Sequence, residues 1–275
     1  MVLERAEVPV AFDEACTSCD DRYWSFRATS TPKRQAMVVW LEEACPVAVA
    51  NDSLPSPAEV ASRLGHLVDW LDRLSGGRTA LLPVTKAFGA EAVRAVLAAG
   101  MTDVGENYAQ ELIGKNAELH EGSGSEGDLS PIQWHMIGGV QRNKVQRLVG
   151  IVSLWQTVDR PELVDEIVRR VPNARILIQV DPAGTPGKGG CPPGHVEGLV
   201  TRAVDGGLEV AGLMTVGVMG DRDATSAAVR TVSRLADDLG LAERSMGMTD
   251  DIELAVEHGS TMVRVGRALF GERPR

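Results

Sequence analysis

Cysteine and basic residues are scarce in this sequence, and long apolar runs are missing from it. Four cysteines in 275 residues, unevenly spread, do not make the disulfide framework of a secreted protein. The chain has 28 basic and 38 acidic residues, a formal net charge of −10, whereas general nucleic-acid binding needs a basic face. No apolar run approaches the roughly 18–20 residues of a membrane span. We therefore expect neither nucleic acid nor a membrane as a partner.

The N-terminal segment carries no recognisable chemistry. The stretch MVLERAEVPVAFDEACTSCD has acidic residues and no continuous apolar region, which argues against a signal peptide and predicts a cytoplasmic protein. Cys16 and Cys19 form a C-x-x-C pair that could start a zinc site. The next potential ligands are the single Cys45 and then His66, so free thiols are favoured. Residues 1–54 lack sustained periodicity and are predicted to be an N-terminal extension.

From residue 55 onward the pattern is that of a globular α/β domain. Hydrophobic residues make up 44% and charged residues 24% of the chain, which is ordinary for a protein with a buried core. Short apolar runs alternate with amphipathic helical runs, as in parallel βα units. The predicted strands are Thr79–Thr85, Asp103–Glu106, Trp134–Gly138, Leu154–Val158, Arg175–Val180, Val210–Val216, Arg244–Gly247 and Met262–Gly266. The predicted helices include Pro57–Leu74, Ala90–Ala99, Arg142–Val149, Pro161–Val171, Ala224–Leu239 and Asp250–His258.

Eight strands joined by helical crossovers predict a (β/α)8 TIM barrel, a single domain over residues 55–275. Such barrels typically need about 250 residues, and the helix before the first strand could close the ring. The alternative is a doubly wound open sheet, which would carry a G-x-G-x-x-G turn after its first strand. The corresponding segment here, PVTKAFGAEA, has no such turn, so the barrel is favoured.

One lysine, Lys86, follows the apolar run ALLPV, inside the segment VTKAF. Active sites of barrels lie at the carboxyl ends of the strands. Desolvation at such a position disfavours the charged ammonium, and a neutral amine is what a Schiff base with an aldehyde requires. The alternative is that Lys86 extends to the rim of the barrel and pairs with Glu106 or Asp103.

Polar residues accompany other predicted strands. Glu106 and Asn107 end the second strand in GENYAQE, and His135 lies at the start of the third in WHMIGGVQRNK. Because active-site residues of barrels gather at the carboxyl ends of the strands, we expect these side chains to converge on one rim with Lys86.

The segment GSTMVRVGRALFG places a helix-like turn after the eighth strand, at Gly266 and Arg267. Barrels often bind phosphate at the loops after strands seven and eight, at such a helix N-terminus. Arg264 and Arg267 could supply charge and Ser245 a hydroxyl. The alternative is that Arg264 faces the outer helices and pairs with a carboxylate. A lysine across the barrel from a phosphate site is the arrangement that pyridoxal phosphate requires.

Three long segments resemble the signature blocks of the pyridoxal phosphate homeostasis protein family, which is similar to the N-terminal barrel domain of alanine racemases. The segments are LLPVTKAFGAEAVRAVLAAGMTDVGENYAQEL, WHMIGGVQRNK and SMGMTDDIELAVEHGSTMVRVGRALFGER, and the similarity covers about residues 57–273. The resemblance implies a barrel of the fold-type III class, with Lys86 carrying pyridoxal phosphate as an internal aldimine. It also implies a phosphate site formed by Ser245, Gly247, Arg264, Gly266 and Arg267, with Asn107 and His135 beside the cofactor.

The implied function is intracellular homeostasis of pyridoxal phosphate by buffering or delivery, with pyridoxal phosphate-dependent apo-enzymes as partners. The alternative is a racemase, which needs a second acid/base group on the opposite face of the substrate. In alanine racemases that group is a tyrosine from a C-terminal domain of the partner subunit. We expect no such domain, because the chain ends at Arg275 and its tyrosines are Tyr23 and Tyr108. A monomeric carrier without robust turnover is therefore favoured, and a barrel for another phosphorylated ligand is the third alternative.

Overall fold

A computed structural model describes residues 54–121, 132–185 and 187–271 of the chain. Within these ranges the strands are β1 (Ala80–Pro83), β2 (Asp103–Glu106), β3 (Gln133–Met136), β4 (Val152–Val158), β5 (Arg175–Gln179), β6 (Glu209–Met214), β7 (Glu243–Ser245) and β8 (Met262–Val265). The helices are α1 (Pro57–Ser75), α2 (Ala90–Ala98), α3 (Ala109–Glu121), α4 (Arg142–Leu148), α5 (Pro161–Arg170), α6 (Val196–Asp205), α7 (Arg222–Asp238), α8 (Ile252–Glu257) and α9 (Arg267–Phe270).

The strands form one parallel sheet in the order β1-β8-β7-β6-β5-β4-β3-β2. Its two edges, β1 and β2, meet at the parallel bridge between Val84 and Gly105, and the Thr85 amide donates to the Gly105 carbonyl at 3.1 Å. The barrel therefore closes at the carboxyl ends of its strands. The predicted (β/α)8 barrel is confirmed, whereas the boundary near residue 54 stays a prediction.

Helix α1 shows how local sequence sets the ring of helices. Ser56 and Glu59 form a capping box at its N-terminus, and Gly76 ends it in the left-handed region at a φ of 65°. Its buried residues, among them Leu64, Leu67 and Leu71, recur at helical spacing. The helix packs against α2 on one side and against α8 and α9 on the other. It thus closes the ring of helices, as its position before the first strand suggested.

The core has two layers. The larger layer lies between the sheet and the helices and includes Trp134, Trp155 and Phe270, each at most 1% exposed. A small cluster of Leu154, Leu177 and Met214 packs inside the barrel. Side chains on one strand alternate between these layers, so polar residues on the inward face are enclosed by the barrel wall.

The predicted elements agree with the observed ones to within about two residues at most ends. The first strand was expected to reach Thr85, but its continuous ladder ends at Pro83. Beyond Pro83, Val84 forms an isolated bridge with Gly105 of β2 and does not extend the ladder with β8. Cys16, Cys19 and the other residues of 1–53 lie outside the described residues.

A cavity of about 490 Å³ opens at the amino-terminal end of the barrel, beside the unpaired parts of β1 and β2. Its lining includes Arg78, Met101, Asp103 and Met262. This is the end opposite to the one where barrels place their chemistry. In the part of the chain that the structure covers, no helix is long and apolar enough to span a bilayer, and no group of three or more metal-ligating side chains occurs.

Candidate functional site

Lys86 lies directly beyond the last backbone hydrogen bonds that tie β1 into the barrel. The Val84 amide donates to the Val265 carbonyl at 2.8 Å, and the Thr85 amide donates to Gly105. The next residue, Lys86, is half-buried at the carboxyl rim. Lys86 therefore lies at the carboxyl end of β1, as predicted from the sequence.

Glu106, at the end of β2, is fully buried and has a lysine partner that sequence reasoning did not suggest. Lys115 of α3 donates to its Oε1 at 2.5 Å, and the Thr85 hydroxyl donates to the same oxygen at 2.6 Å. Burial raises the pKa of Glu106, and the charge of Lys115 opposes that rise. The carboxylate considered as a partner for Lys86 is thus held by α3.

Arg264, on β8, points into the barrel and forms the floor beneath the carboxyl rim. It is 4% exposed and donates to the Ser245 carbonyl at 2.7 Å, the Ser245 hydroxyl at 2.6 Å and the Thr215 carbonyl at 2.6 Å. Desolvation lowers the pKa of Arg264 to about 10, and Asp251 opposes the shift. Among the described residues no carboxylate lies within ion-pair distance of it. The alternative of an outward-facing, carboxylate-paired Arg264 is wrong.

A chain of hydrogen bonds continues from this floor through the barrel interior. The Ser245 hydroxyl donates to Gln156 Oε1 at 2.7 Å, and the Gln156 amide lies 2.9 Å from His135 Nδ1. His135 Nε2 lies 3.0 Å from Asp103 Oδ1. Every donor meets an acceptor if His135 is neutral with its proton on Nε2. The hydrogen bond from His135 holds the pKa of Asp103 below its ordinary value.

Two glycines at the ends of the neighbouring strands lie where the surrounding atoms leave little room for a side chain. A Cβ on Gly266 would come within 3.2 Å of the Val84 carbonyl. Gly247 has a φ of 96°, and a Cβ there would lie 2.7 Å from that of Ala255. The first intrahelical bonds of α9 are donated by Leu269 and Phe270 to the Gly266 carbonyl. The amides at the start of that turn therefore precede the first helical donors.

The structure separates the predicted site residues into three groups. The first group lies at the carboxyl rim and consists of Lys86, Asn107, Gly247 and Gly266. At this rim Gly138 approaches Asn107 so closely that a Cβ on Gly138 would lie 1.9 Å from the Asn107 carbonyl oxygen. His135, Ser245 and Arg264 lie below them, inside the barrel. The Arg267 guanidinium is exposed and donates to Asp250 at 2.7 Å. The eight positions thus do not converge on one surface.

Two expectations about geometry need correction. β1 and β8 are hydrogen-bonded neighbours, so Lys86 is beside Gly266 and not across the barrel from it. His135 was expected at the rim, but its ring nitrogens are bound by Asp103 and Gln156 in the interior. The reason in both cases is strand order and register, which decide neighbours and depth.

Sequence reasoning missed several contributors. Gln156 stands out as a polar residue in the strand SLWQTV, and Lys115 lies four residues after Glu111 on α3. Lys188 donates to the carbonyls of Val216 and Gly217 at the end of β6. Desolvation lowers the pKa of Lys188, and Asp181 opposes this. A polar residue in an apolar strand and an i, i+4 pair of opposite charges were the available signals.

Comparison with known proteins identifies the class to which this barrel belongs. Residues 61–274 match the family described as "Alanine racemase, N-terminal domain", and the chain belongs to that family. Within it, the chain belongs to the pyridoxal phosphate homeostasis proteins. It is 36% identical over 224 residues to the "Pyridoxal phosphate homeostasis protein" of Pseudomonas aeruginosa, covering 78% of this chain and 94% of that protein.

Solved structures agree with this assignment. PipY of Synechococcus elongatus PCC7942, in a structure described as "with PLP bound", matches with a TM-score of 0.64 and 29% identity over 77% of this chain and all of that one. An alanine racemase of Clostridium difficile 630 matches with a TM-score of 0.60 and 15% identity, over 79% of this chain and 58% of the racemase. The second similarity concerns the fold alone.

Proposed function

We propose that this chain binds pyridoxal 5′-phosphate covalently through Lys86 and serves in the homeostasis of that cofactor by buffering or delivering it. Relatives that carry the name "Pyridoxal phosphate homeostasis protein" match most of the barrel at about 35% identity, and PipY has been solved with PLP bound. These names support the proposal for a chain that shares their barrel.

The carboxyl rim fits such a cofactor in size. When bound, pyridoxal phosphate supplies a phosphate dianion and an aldehyde that condenses with a neutral primary amine, with loss of one water. β8 and β7 are the next two strands after β1 in the sheet. At about 4.8 Å per strand, their ends lie within roughly 10 Å of the end of β1. One small ligand at this rim can therefore reach from Lys86 to the ends of β8 and β7.

Each of the predicted site residues would have a separate role in holding the cofactor. Lys86 provides the amine, and the backbone amides around Gly247, after β7, and Gly266, at the start of the α9 turn, receive the phosphate. Asn107 lines the rim on the β2 side. Ser245 and His135 act from below by holding the Arg264 guanidinium and the Gln156 amide in place. Arg267 would have to leave Asp250 to contact a phosphate, so we assign it the weakest role.

The observation that carries the proposal is the buried Arg264 guanidinium, which has no carboxylate within ion-pair distance among the described residues. Its three hydrogen bonds go to uncharged oxygens of Ser245 and Thr215, and Asp251 acts on it only from beyond ion-pair distance. Positive charge therefore remains beneath the rim. A buried charge is costly unless it is paired. An anionic ligand above it would repay that cost, which explains why an arginine is kept in the interior next to a lysine-bearing rim.

We further propose a monomeric, cytoplasmic carrier whose partners are apo-enzymes that depend on pyridoxal phosphate. Racemisation would need a second acid/base group facing the ligand from the side opposite Lys86. Tyr108, the tyrosine within the described residues, is 50% exposed at the rim. An exposed phenol without a buried partner is poorly suited to that task, and this favours the carrier.

Borohydride reduction followed by peptide mass spectrometry tests the proposal. The full-length protein is incubated with pyridoxal phosphate, its visible absorbance is recorded, and the covalent linkage is reduced. We expect a visible band that reduction removes and a pyridoxyl group on Lys86. A colourless protein, or a label on Lys144 or Lys188 in place of Lys86, would contradict it.

A further inference from the structure

Both peptide groups that flank Lys86 are hydrogen-bonded by side chains of one helix, α3. Before Lys86, the Thr85 carbonyl accepts from Lys115 Nζ at 2.8 Å. After Lys86, the Ala87 amide donates to Glu111 Oε2 at 2.9 Å. These two peptide planes determine φ and ψ of Lys86. Glu111 and Lys115 therefore hold the direction in which its side chain leaves the backbone, together with the turn hydrogen bond that the Phe88 amide donates to the Thr85 carbonyl at 3.1 Å.

The backbone after Lys86 has an uncommon conformation, within a turn that the Phe88 amide closes on the Thr85 carbonyl. Ala87 has a φ of 68°, in the left-handed region, which is uncommon for residues other than glycine. Such conformations persist only where the surrounding structure holds them. The Glu111 carboxylate supplies such a hold on the Ala87 amide, and Glu111 lies 3.8 Å from Lys115 one turn further along α3.

Lys115 is itself fixed from the other side. It is 6% exposed and its partner Glu106 is fully buried, while the Thr85 hydroxyl donates to the same Glu106 oxygen. Replacing a buried ion pair with apolar residues is often neutral or stabilising, so stability alone does not explain its presence. Its contacts with Thr85 point to a role in geometry.

We propose that Glu111, Lys115 and Glu106 are positioning residues that clamp the backbone on both sides of Lys86 and so aim its amine into the site. The clamp acts through the backbone and has no contact with a ligand. It deepens the proposed function and rests on it for its purpose, but the clamp itself is a property of the unliganded chain.

The sharpest test uses Glu111, because this residue is partly exposed and its replacement should not unfold the barrel. Glu111→Ala removes the acceptor for the Ala87 amide, whereas Glu111→Gln keeps an acceptor oxygen at the same place. Glu118→Ala is the matched control, since Glu118 lies on the same helix and pairs with the exposed Arg94. Each full-length protein is examined by amide hydrogen exchange at Ala87 and by the rate of borohydride-trapped pyridoxyl labelling at Lys86.

We expect Glu111→Ala to speed exchange at Ala87 and to slow labelling by about three- to tenfold, the size of one ordinary hydrogen bond, because the site is partly exposed. In Glu111→Gln, exchange at Ala87 and labelling at Lys86 should both be close to those of the wild type. Glu118→Ala should change neither the exchange nor the labelling rate. Unchanged exchange and labelling in Glu111→Ala, or equal effects in the control, would overturn the clamp.

A second variant addresses the buried pair. Glu106→Gln combined with Lys115→Met removes both charges while keeping volume, so it should fold yet label Lys86 more slowly than the wild type. Labelling of Lys86 at the wild-type rate in this double variant would contradict the clamp. If even the wild type traps no pyridoxyl group at Lys86, the proposed function fails, and exchange at Ala87 alone decides the clamp.

Discussion

Two buried cations lie on opposite sides of the Lys86 rim, and the structure treats them differently. Lys115, beneath the β1–β2 side, donates to the Glu106 carboxylate and to the Thr85 carbonyl. Arg264, beneath the β7–β8 side, donates to uncharged oxygens of Ser245 and Thr215. Both are almost completely removed from solvent, so burial alone does not separate them.

The two cations differ in whether a carboxylate neutralises their charge in the folded protein. The charge of Lys115 is neutralised inside the protein, so its hydrogen bonds hold backbone in place. The charge of Arg264 has no carboxylate within ion-pair distance among the described residues, so it can attract an anion at the rim. A buried cation with a counter-ion is a structural element, and one without is a candidate for ligand binding.

The largest expected effect is loss of cofactor attachment in Lys86→Ala. Without the amine no covalent linkage forms, so the visible band and the borohydride-trapped label should both disappear while the melting temperature changes little. Lys144→Ala, on α4, is the control and should label like the wild type. A full label elsewhere on the chain in Lys86→Ala would remove Lys86 from its proposed role.

On the Lys115 side we expect instability. Lys115→Met leaves the buried Glu106 charge without its cation, and such a loss costs about 3–5 kcal/mol, which lowers the melting temperature by roughly 6–20 °C. The double variant with Glu106→Gln should come within about 2 kcal/mol of the wild type. Calorimetry checks both, and equal destabilisation by the single and double variants would refute the assignment of Lys115 as a neutralised structural charge.

On the Arg264 side we expect weaker ligand binding. Arg264→Gln removes the positive charge and leaves one side-chain amide as a hydrogen-bond donor inside the barrel. The affinity for pyridoxal phosphate should fall about 10- to 100-fold, the size of one lost charge interaction of roughly 1.5–3 kcal/mol. Absorbance titration at two salt concentrations measures it. An unchanged affinity would place the anion away from this floor.

A smaller effect is expected from the rim itself. Gly266→Val adds side-chain atoms where a Cβ would already contact the Val84 carbonyl at 3.2 Å, so it should shift the backbone beside the amides proposed for the phosphate. Ser245→Ala removes one hydroxyl between Arg264 and Gln156. Each should weaken binding by roughly tenfold. Titration of both variants decides this, and wild-type affinity in both would move the phosphate to another loop.

The smallest expected effect concerns acid stability through Asp103. The folded pKa of Asp103 is below its ordinary value of 3.8, so near that pH the unfolded chain binds more protons than the folded protein. Its stabilisation is complete above pH 3.8 and is lost as the pH falls through the lower folded pKa. Asp103 is about half exposed, so the gain is roughly a few tenths of a kcal/mol. Asp103→Asn should flatten the stability profile below pH 4, measured by denaturant unfolding; an identical profile would show no such linkage.

Much of the candidate site could be predicted from sequence because its residues sit at strand ends. Lys86 after ALLPV and Gly266 after the eighth strand needed only the pattern of strands and the rule that barrels react at their carboxyl ends. The depth of His135 and Ser245 could not be predicted in the same way. Side chains alternate along a strand, and a shift of one residue in register changes the face on which they lie.

The sequence by itself determined the eight alternating units, the barrel, the family, and the lysine at the first strand's end, because hydrophobic periodicity and motif order are local properties. Only the tertiary structure decided that Lys115 neutralises Glu106, that Arg264 has uncharged partners, and that Glu111 and Lys115 hold the backbone around Lys86. These pairings join residues from different strands and helices. Their distances depend on strand order, register and helix packing, which no single segment of sequence contains.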